Sequence, residues 1–168
     1  MSATQTETFS AADSEYMAHA LQLARRGRYT AHPNPRVGCV IVRDGEVVGS
    51  GWHRETGAEH AEIHALNEAG GAAKDATAYV TLEPCAHHGR TPPCCDALIA
   101  AGISRVVVAM RDPFEQVAGK GLDALRRAGV DVSCGLLQDT AATLNEGFVS
   151  RVSRGRPFVR LKVACSLD

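Results

Sequence analysis

The sequence predicts an α/β protein in which a mixed five-stranded sheet is covered by helices on both faces. Residues 37–52 contain two β-rich runs that flank a turn dipeptide, which predicts an antiparallel hairpin. From Ala58 onward, helical and strand-like segments alternate, which is typical of parallel strands joined by crossover helices. A chain of 168 residues with 45% hydrophobic residues is long enough to bury one such core.

The elements follow in chain order. Residues 1–12 are small and polar, and we expect them to be disordered. From Asp13 apolar residues recur at helical spacing, and Gly27 stands where a C′ glycine would end this helix. In the hairpin, Asp44-Gly45 suits a type I′ turn because both residues tolerate positive φ. The later segments are predicted as helix 58–70, strand 76–82, helix 95–102, strand 104–110, helix 121–129, strand 130–136, helix 139–152 and a final strand beginning near 156.

Composition and charge exclude several classes of protein. A net charge of −1 and a pI near 6.6 give no overall attraction to nucleic acid or to an anionic membrane. No stretch approaches the roughly 18 apolar residues of a membrane span, and the N-terminus lacks the basic and apolar regions of a signal peptide. We therefore expect a cytoplasmic protein with reduced thiols, in which clustered cysteines bind metal or do chemistry and do not form a disulfide staple.

Two short fragments carry metal-binding residues, "HAE" at 60–62 and "PCAHHGRTPPC" at 84–94. His60, Cys85 and Cys94 would supply one imidazole and two thiolates to tetrahedral zinc and leave the fourth position to water, as in catalytic sites. Glu62 would then move protons without binding the metal. Since positions i and i+2 of a helix point about 200° apart, we expect His60 at or just before the first turn, with non-helical backbone angles.

These residues could also serve purposes other than catalysis. "HAEIH" is not the zinc-protease helix H-E-x-x-H, because Ala61 stands where that pattern needs glutamate. His64 and His19 are interpreted as ordinary helix residues, and Cys95 remains an alternative to Cys94 as a ligand. A purely structural zinc clip also stays open, although the paired C-x2-C pattern of such sites is absent.

The remaining cysteines are assigned no function. Each falls within an apolar run that reads as a strand, where a free cysteine behaves as a small buried hydrophobe. These residues are Cys39, Cys134 and Cys165.

The two fragments are similar to the H-x-E and P-C-x-x-C signature of zinc nucleobase deaminases, except that eight residues separate the cysteines. The longer "PCAHHGRTPPC", with "PNPRVGCVIV" upstream and "RPFVRLKVACSLD" at the end, resembles the deaminase domain of the bifunctional riboflavin-biosynthesis deaminase/reductase. The resemblance runs from about Ser14 to the last residue, and "EPC" through "GRTPPC" is its most specific part.

The resemblance implies a three-layer α/β/α, cytidine-deaminase-like fold with one zinc ion per chain. It implies hydrolytic deamination of 2,5-diamino-6-ribosylamino-4(3H)-pyrimidinone 5′-phosphate at its ring 2-amino group, giving the 5-amino-6-ribosylaminouracil phosphate and ammonia. Zinc would be held by the positions matching His60, Cys85 and Cys94, and protons would be carried by Glu62. The implied substrate contacts are Asn34, His53, His87 and Arg90.

Physical chemistry agrees with two of these substrate contacts. Arg90 offers a forked donor for phosphate on the same loop as the zinc ligands, and Lys120 is a weaker candidate. Asn34 lies between two prolines, so little entropy is lost when its amide orders against a pyrimidine edge. The segment 112–121 departs from the family pattern, and we expect Glu115 there to face solvent, since an inward carboxylate would repel phosphate.

The resemblance also divides the chain. Residues 13–154 are interpreted as the deaminase domain, and 155–168 as a linker and the first strand of a truncated reductase domain. NADPH would serve only that absent domain, so no reductase activity is expected. The expected partner is a small phosphorylated pyrimidine, with no nucleic acid or membrane, and a homo-oligomer is expected.

Two rival functions remain at this point. The first is another zinc deaminase, acting on guanine, cytidine or adenosine in tRNA. A nucleic-acid enzyme should show a basic groove with aromatic stacking platforms, whereas this chain has one Trp, three Tyr and four Phe. The second is a non-catalytic module stabilised by zinc, which would have four protein ligands on the metal.

Overall fold

The computed structural model describes residues 8–86, 92–114 and 117–166. Its strands are β1 (Gly38–Arg43), β2 (Glu46–Trp52), β3 (Thr77–Val80), β4 (Arg105–Val108) and β5 (Asp131–Cys134). Its helices are α1 (Ala11–Arg25), α2 (Ala61–Ala69), α3 (Cys94–Ala100), α4 (Lys120–Arg127), α5 (Gln138–Leu144) and α6 (Glu146–Arg154).

The five strands form one mixed sheet in the order β2-β1-β3-β4-β5. Strand β1 is antiparallel to both β2 and β3, whereas β3, β4 and β5 are parallel. Asp44 and Gly45 join the hairpin with φ of 53° and 81°, as a type I′ turn requires. The predicted mixed sheet with an N-terminal hairpin is therefore confirmed.

Helices cover both faces of the sheet and complete three layers. Helices α2, α3 and α4 pack on one face, and α1 and α5 pack on the other. Successive residues of β1 alternate between these two cores: Cys39 and Ile41 point to the first, and Val40 and Val42 to the second. The α/β/α architecture that the sequence predicts is confirmed.

Two helices lie directly on the backbone of the hairpin, which only glycine permits. A Cβ added at Gly38 would lie 2.0 Å from the carbonyl oxygen of Ala20 in α1. One added at Gly51 would lie 2.2 Å from the carbonyl oxygen of Ala61 in α2. The first turn of α2 is therefore held at a fixed height over the sheet.

The first helix begins two residues earlier than the sequence pattern predicted. Ser10 caps it by a reciprocal pair of hydrogen bonds with Asp13, in which each side chain accepts from the backbone N–H of the other. Gly27 follows the end of the helix as expected, but the chain continues as a 3₁₀ turn over Arg26–Tyr29 and the φ of Gly27 is not positive. Glycine is needed there because a Cβ would lie 2.8 Å from the carbonyl oxygen of His53.

The predicted helix over 139–152 is two helices, because Asn145 interrupts it. The side chain of Asn145 is buried, and its Oδ1 accepts the backbone N–H of Arg36 at 2.8 Å. Its Nδ2 donates to the carbonyl oxygen of the same residue at 2.9 Å. Asn145 thus ties the junction of α5 and α6 to the segment before β1.

The predicted terminal strand is not formed in the described part of the chain. Residues 155–166 form neither helix nor strand, and Val159, Leu161 and Val163 are 80%, 84% and 69% exposed. Cys165 is exposed, so its assignment to a buried strand position is wrong. A strand needs a neighbouring strand to pair its backbone groups, and no described strand pairs with this segment.

No helix in the described ranges is long and apolar enough to cross a membrane.

A buried ionic cluster joins α1 to the centre of the sheet. Asp13 is only 4% exposed, and its Oδ1 accepts from Tyr79 Oη at 2.7 Å and from Arg105 Nη1 at 2.8 Å. Burial opposes ionisation of the carboxyl, but the hydrogen bonds from Arg105, the Ser10 backbone and Tyr79 outweigh it and lower the pKa of Asp13. The charged form of Asp13 therefore stabilises the fold.

We predict that Asp13→Asn lowers the free energy of unfolding by about 2 kcal/mol at pH 7, because a charge-assisted network is lost. Since the pKa of Asp13 is lowered on folding, its contribution is complete above the ordinary value of 3.8 and is lost as the pH falls below it. The difference between wild type and variant should be constant above about pH 5 and should shrink towards pH 3. Urea unfolding across this pH range measures it.

Asp131→Asn is the matched control. Asp131 approaches the same Arg105 at 3.7 Å, but its side chain is 72% exposed, so its removal should have little effect. Equal losses of unfolding free energy in Asp13→Asn and Asp131→Asn would contradict the role given to Asp13. So would a difference between wild type and Asp13→Asn that grows as the pH falls.

Candidate active site

The start of helix α2 places two of the predicted residues. His60 is the residue just before the helix and has extended angles, φ −74° and ψ 163°. Glu62 lies in the first turn. The expectation that His60 has non-helical backbone angles is confirmed, and this allows both side chains to reach one cavity.

Two cysteines complete a cluster with His60. Cys94 is the first residue of α3, and Cys85 lies in the loop that follows β3. His60 Nδ1 is 3.1 Å from Cys94 Sγ and 3.6 Å from Cys85 Sγ, and all three donor atoms lie within 4.8 Å of one another. The backbone N–H of Cys94 donates to Cys85 Sγ at 3.3 Å, so the N-terminus of α3 also faces that sulfur.

The neighbouring Cys95 points away from this cluster. Its sulfur is buried and donates to the carbonyl oxygens of Pro84 at 3.3 Å and Gly121 at 3.5 Å. The structure therefore brings Cys94, and not Cys95, to His60. Cys95 instead braces the loop that carries Cys85 against the start of α4.

The two thiols of the cluster strongly perturb each other. The hydrogen bond from Cys94, helped by His60 and opposed by burial, lowers the pKa of Cys85 to about 4. The same hydrogen bond and burial raise the pKa of Cys94. The pair thus shares one proton, which a divalent cation would displace, since coordinated thiols are deprotonated. Two thiolates and an imidazole are a donor set that fits Zn²⁺.

Glu62 is a buried carboxyl beside the cluster, with only 3% of its surface exposed. Burial raises its pKa to about 7, although the nearby His60 opposes this shift. A carboxyl with a pKa near the working pH can both accept and donate a proton.

A cavity of about 450 Å³ opens in front of these groups. His60, Glu62 and Cys85 line it together with residues from five other segments of the chain. These residues are Asn34, then His53, then Leu82 and Glu83, then Phe114 and Val117, and finally Phe148 and Arg151. Its size is that of a small-molecule binding site.

Asn34 and His53 form a hydrogen-bonded pair in the cavity wall. Asn34 Nδ2 is 3.2 Å from His53 Nε2, while His53 Nδ1 is 3.2 Å from the carbonyl oxygen of Glu59. These contacts require a proton on Nδ1 and leave Nε2 to accept from Asn34. Burial lowers the pKa of His53, which favours the same neutral form. The polar edge of the cavity is therefore preorganised.

Three predicted residues lie outside the described residues: His87 and Arg90, expected to contact substrate, and Glu115, expected to face solvent. Lys120, the weaker phosphate candidate, begins α4, is exposed, and does not line the cavity in the described part of the chain.

Sequence reasoning missed Glu83 and Arg151. Glu83 is buried, and its carboxylate accepts backbone N–H groups from Asp112, Gly119, Gly121 and Leu122. A single glutamate before Pro84-Cys85 gives no signal of this role, because its donors lie 29 to 39 residues away. Arg151 follows a helical pattern that predicts only an exposed position.

Comparison with known proteins places these features in a family. Residues 10–110 match the model of the cytidine and deoxycytidylate deaminase zinc-binding region. The chain is 64% identical over 156 residues to the riboflavin biosynthesis protein RibD of Escherichia coli, covering 93% of this chain and 42% of that protein. It is 50% identical over 145 residues to the diaminohydroxyphosphoribosylamino-pyrimidine deaminase of Buchnera aphidicola subsp. Schizaphis graminum, covering 86% of this chain and 99% of that protein.

A solved structure, Acinetobacter baumannii RibD, superposes with a TM-score of 0.90 at 54% identity and covers 93% of this chain and 44% of that one. The chain thus spans less than half the length of these RibD relatives.

We predict that Cys94→Ser abolishes tight zinc binding, whereas Cys95→Ser retains about one zinc ion per chain. The first change removes a sulfur donor from the cluster, and the second alters only a buried hydrogen bond to Pro84 and Gly121. Metal content after dialysis, measured by mass spectrometry on folded protein, distinguishes the two variants. If Cys95→Ser lost zinc and Cys94→Ser kept it, Cys95 and not Cys94 would be the zinc ligand.

Proposed function

Because the chain belongs to the zinc-binding cytidine and deoxycytidylate deaminase family, and within it to the pyrimidine deaminases of riboflavin biosynthesis, we propose that it is a zinc-dependent aminohydrolase. Its proposed substrate is 2,5-diamino-6-ribosylamino-4(3H)-pyrimidinone 5′-phosphate, which loses its ring 2-amino group as ammonia. The observation that supports this most directly is the cluster of His60, Cys85 and Cys94 beside the buried Glu62.

Zinc would be held by the three residues of the cluster. When bound, it would supply a Lewis acid that acidifies water and polarises the reacting carbon–nitrogen bond. His60 and Cys94 would present their donors from helix N-termini, and the N–H of Cys94 would stabilise the thiolate of Cys85.

Glu62 is proposed to move the proton. With a pKa near 7, the carboxylate takes a proton from the attacking water as the oxygen bonds to the ring carbon and the π electrons of the ring C=N bond move onto its nitrogen, to return when the amine leaves. The carboxylic acid then donates that proton to the exocyclic nitrogen, the carbon–nitrogen bond breaks, and ammonia leaves. Burial of Glu62 keeps bulk water from competing for the same proton.

Asn34 and His53 are proposed to orient the pyrimidine. The bond from His53 to the Glu59 carbonyl oxygen fixes the imidazole, and the imidazole in turn positions the Asn34 amide at the cavity wall. Loss of entropy on binding is small because the pair is already ordered. The roles of His87 and Arg90 remain predictions from the resemblance.

The assembly and location belong to the same proposal. We propose a homo-oligomer that acts in the cytoplasm on a small phosphorylated pyrimidine, without nucleic acid.

We predict that Glu62→Gln keeps zinc but lowers kcat about a thousandfold or more, because the amide cannot carry the proton. Ammonia release from the phosphorylated pyrimidine measures activity, and metal content checks that the site is intact. Turnover near the wild-type rate in this variant would remove Glu62 from the mechanism.

The same ammonia assay tests the function itself. Wild-type protein should act on the phosphorylated diaminopyrimidine and should release little ammonia from guanine, cytidine or a tRNA adenosine substrate. Preference for one of those three would identify a different deaminase. No release from any of them, with zinc bound, would indicate a non-catalytic zinc module.

A further inference from the structure

A second cavity of about 460 Å³ adjoins the one that contains the zinc-binding cluster. Asn34, Phe148 and Arg151 line both cavities, so the two meet at these residues. The inner cavity holds the groups proposed to act on the pyrimidine, and the outer one opens beyond Asn34. A substrate longer than a bare base would extend from the first cavity towards the second.

The charges in the inner cavity direct an anionic group outward. Glu62, Glu83 and Asp112 line this cavity, and Arg151 is its one lysine or arginine among the described residues. Glu83 and Asp112, and Glu62 when it is ionised, would repel a phosphate dianion placed deep in the cavity. The phosphate would therefore be most stable at the end of the cavity that Arg151 lines.

The outer cavity has the opposite balance of charge. Arg28, Arg36 and Arg151 line it, and its one carboxylate among the described residues, Glu146, lies 2.6 Å from Nη2 of Arg160. Burial lowers the pKa of Arg36, and repulsion from the nearby cation of Arg28 lowers it further, although Glu146 opposes the shift. An anion bound here would relieve that repulsion.

Two neighbours hold the Arg151 guanidinium in place and leave it able to bind a ligand. Its Nη2 donates to the carbonyl oxygen of Pro33 at 2.8 Å, and its guanidinium carbon lies 6.0 Å from the centre of the Phe148 ring. A guanidinium has five N–H donors. Among the described residues only the Pro33 carbonyl accepts one of them, so other donors of Arg151 can reach a ligand. Because Pro33 directly precedes Asn34, the fork is fixed next to a residue proposed to bind the pyrimidine.

We propose that Arg151 binds the 5′-phosphate of the substrate at the junction of the two cavities and so selects phosphorylated over unphosphorylated pyrimidines. The inference rests on the proposed function and adds a specificity residue to it. Arg90, the phosphate contact implied by resemblance, lies outside the described residues, so the two arginines are separate candidates.

The test compares two substrates on three proteins: the phosphorylated diaminopyrimidine and its dephosphorylated nucleoside, on wild type, Arg151→Ala and Arg154→Ala. Arg151→Ala should raise KM for the phosphorylated substrate about ten- to a hundredfold, the effect of losing a charge-assisted hydrogen bond. It should leave kcat/KM for the nucleoside within about twofold. Arg154 is the control, because it lies on the same helix, donates to Ser150 and lines neither of the two cavities.

Two results would overturn the inference, and they differ from each other. Equal losses on both substrates would show that Arg151 only tethers α6 to Pro33. No ammonia from either substrate with wild-type protein would refute the proposed function and this inference with it. Should Arg151→Ala fail to fold or to keep zinc, Arg151→Lys is the second variant. Lysine keeps the positive charge but lacks the paired donors of the guanidinium, so only the phosphorylated substrate should bind several-fold more weakly.

Discussion

Two sulfur atoms and an imidazole nitrogen are held within 4.8 Å of one another, although 34 residues separate His60 from Cys94. Desolvated thiolates this close repel each other unless a proton or a cation lies between them. The opposed pKa shifts of Cys85 and Cys94 are the result when a single proton is shared. A divalent ion would satisfy the same arrangement with both thiols ionised, so the cluster has the donors and the spacing to hold one.

Close backbone approaches and one buried carboxylate hold this cluster in register. Gly51 lets the first turn of α2 rest on the sheet and so sets the height of His60 and Glu62. Next to Cys85, the buried carboxylate of Glu83 gathers four N–H groups from the segment that leads into α4. At Gly121, a Cβ would lie 2.1 Å from the carbonyl oxygen of Pro84. The distances of α2 and α4 from the site are therefore set by close contacts at Gly51 and Gly121, where no side chain fits.

Sequence patterns predict the parts of this molecule that depend on neighbouring residues. The hairpin turn at Asp44-Gly45, the alternation of helices and strands, and the placement of His60 before a helix all follow from local chemistry. The interruption at Asn145 does not, because its hydrogen bonds go to Arg36, 109 residues away. The roles of Glu83 and Arg151 cannot be predicted from the sequence for the same reason. Their hydrogen-bond partners are distant in the chain, and only the fold brings them close. The apolar residues after Pro157 suggested a strand, but periodicity alone supplies no neighbour for it to pair with.

The two hydrogen bonds between Asn145 and Arg36 restrict substitution more at position 145 than at position 36. Asn145 uses a donor and an acceptor at once, so aspartate would lose the donor and glutamine would misplace both. Arg36 takes part only through its main chain, and every residue except proline offers the same two groups. The side chain at position 36 can thus be exchanged in a lineage without disturbing the junction of the two helices. The outer cavity can therefore acquire a new charge at position 36, and with it a new preference among ligands, while the backbone around it is kept.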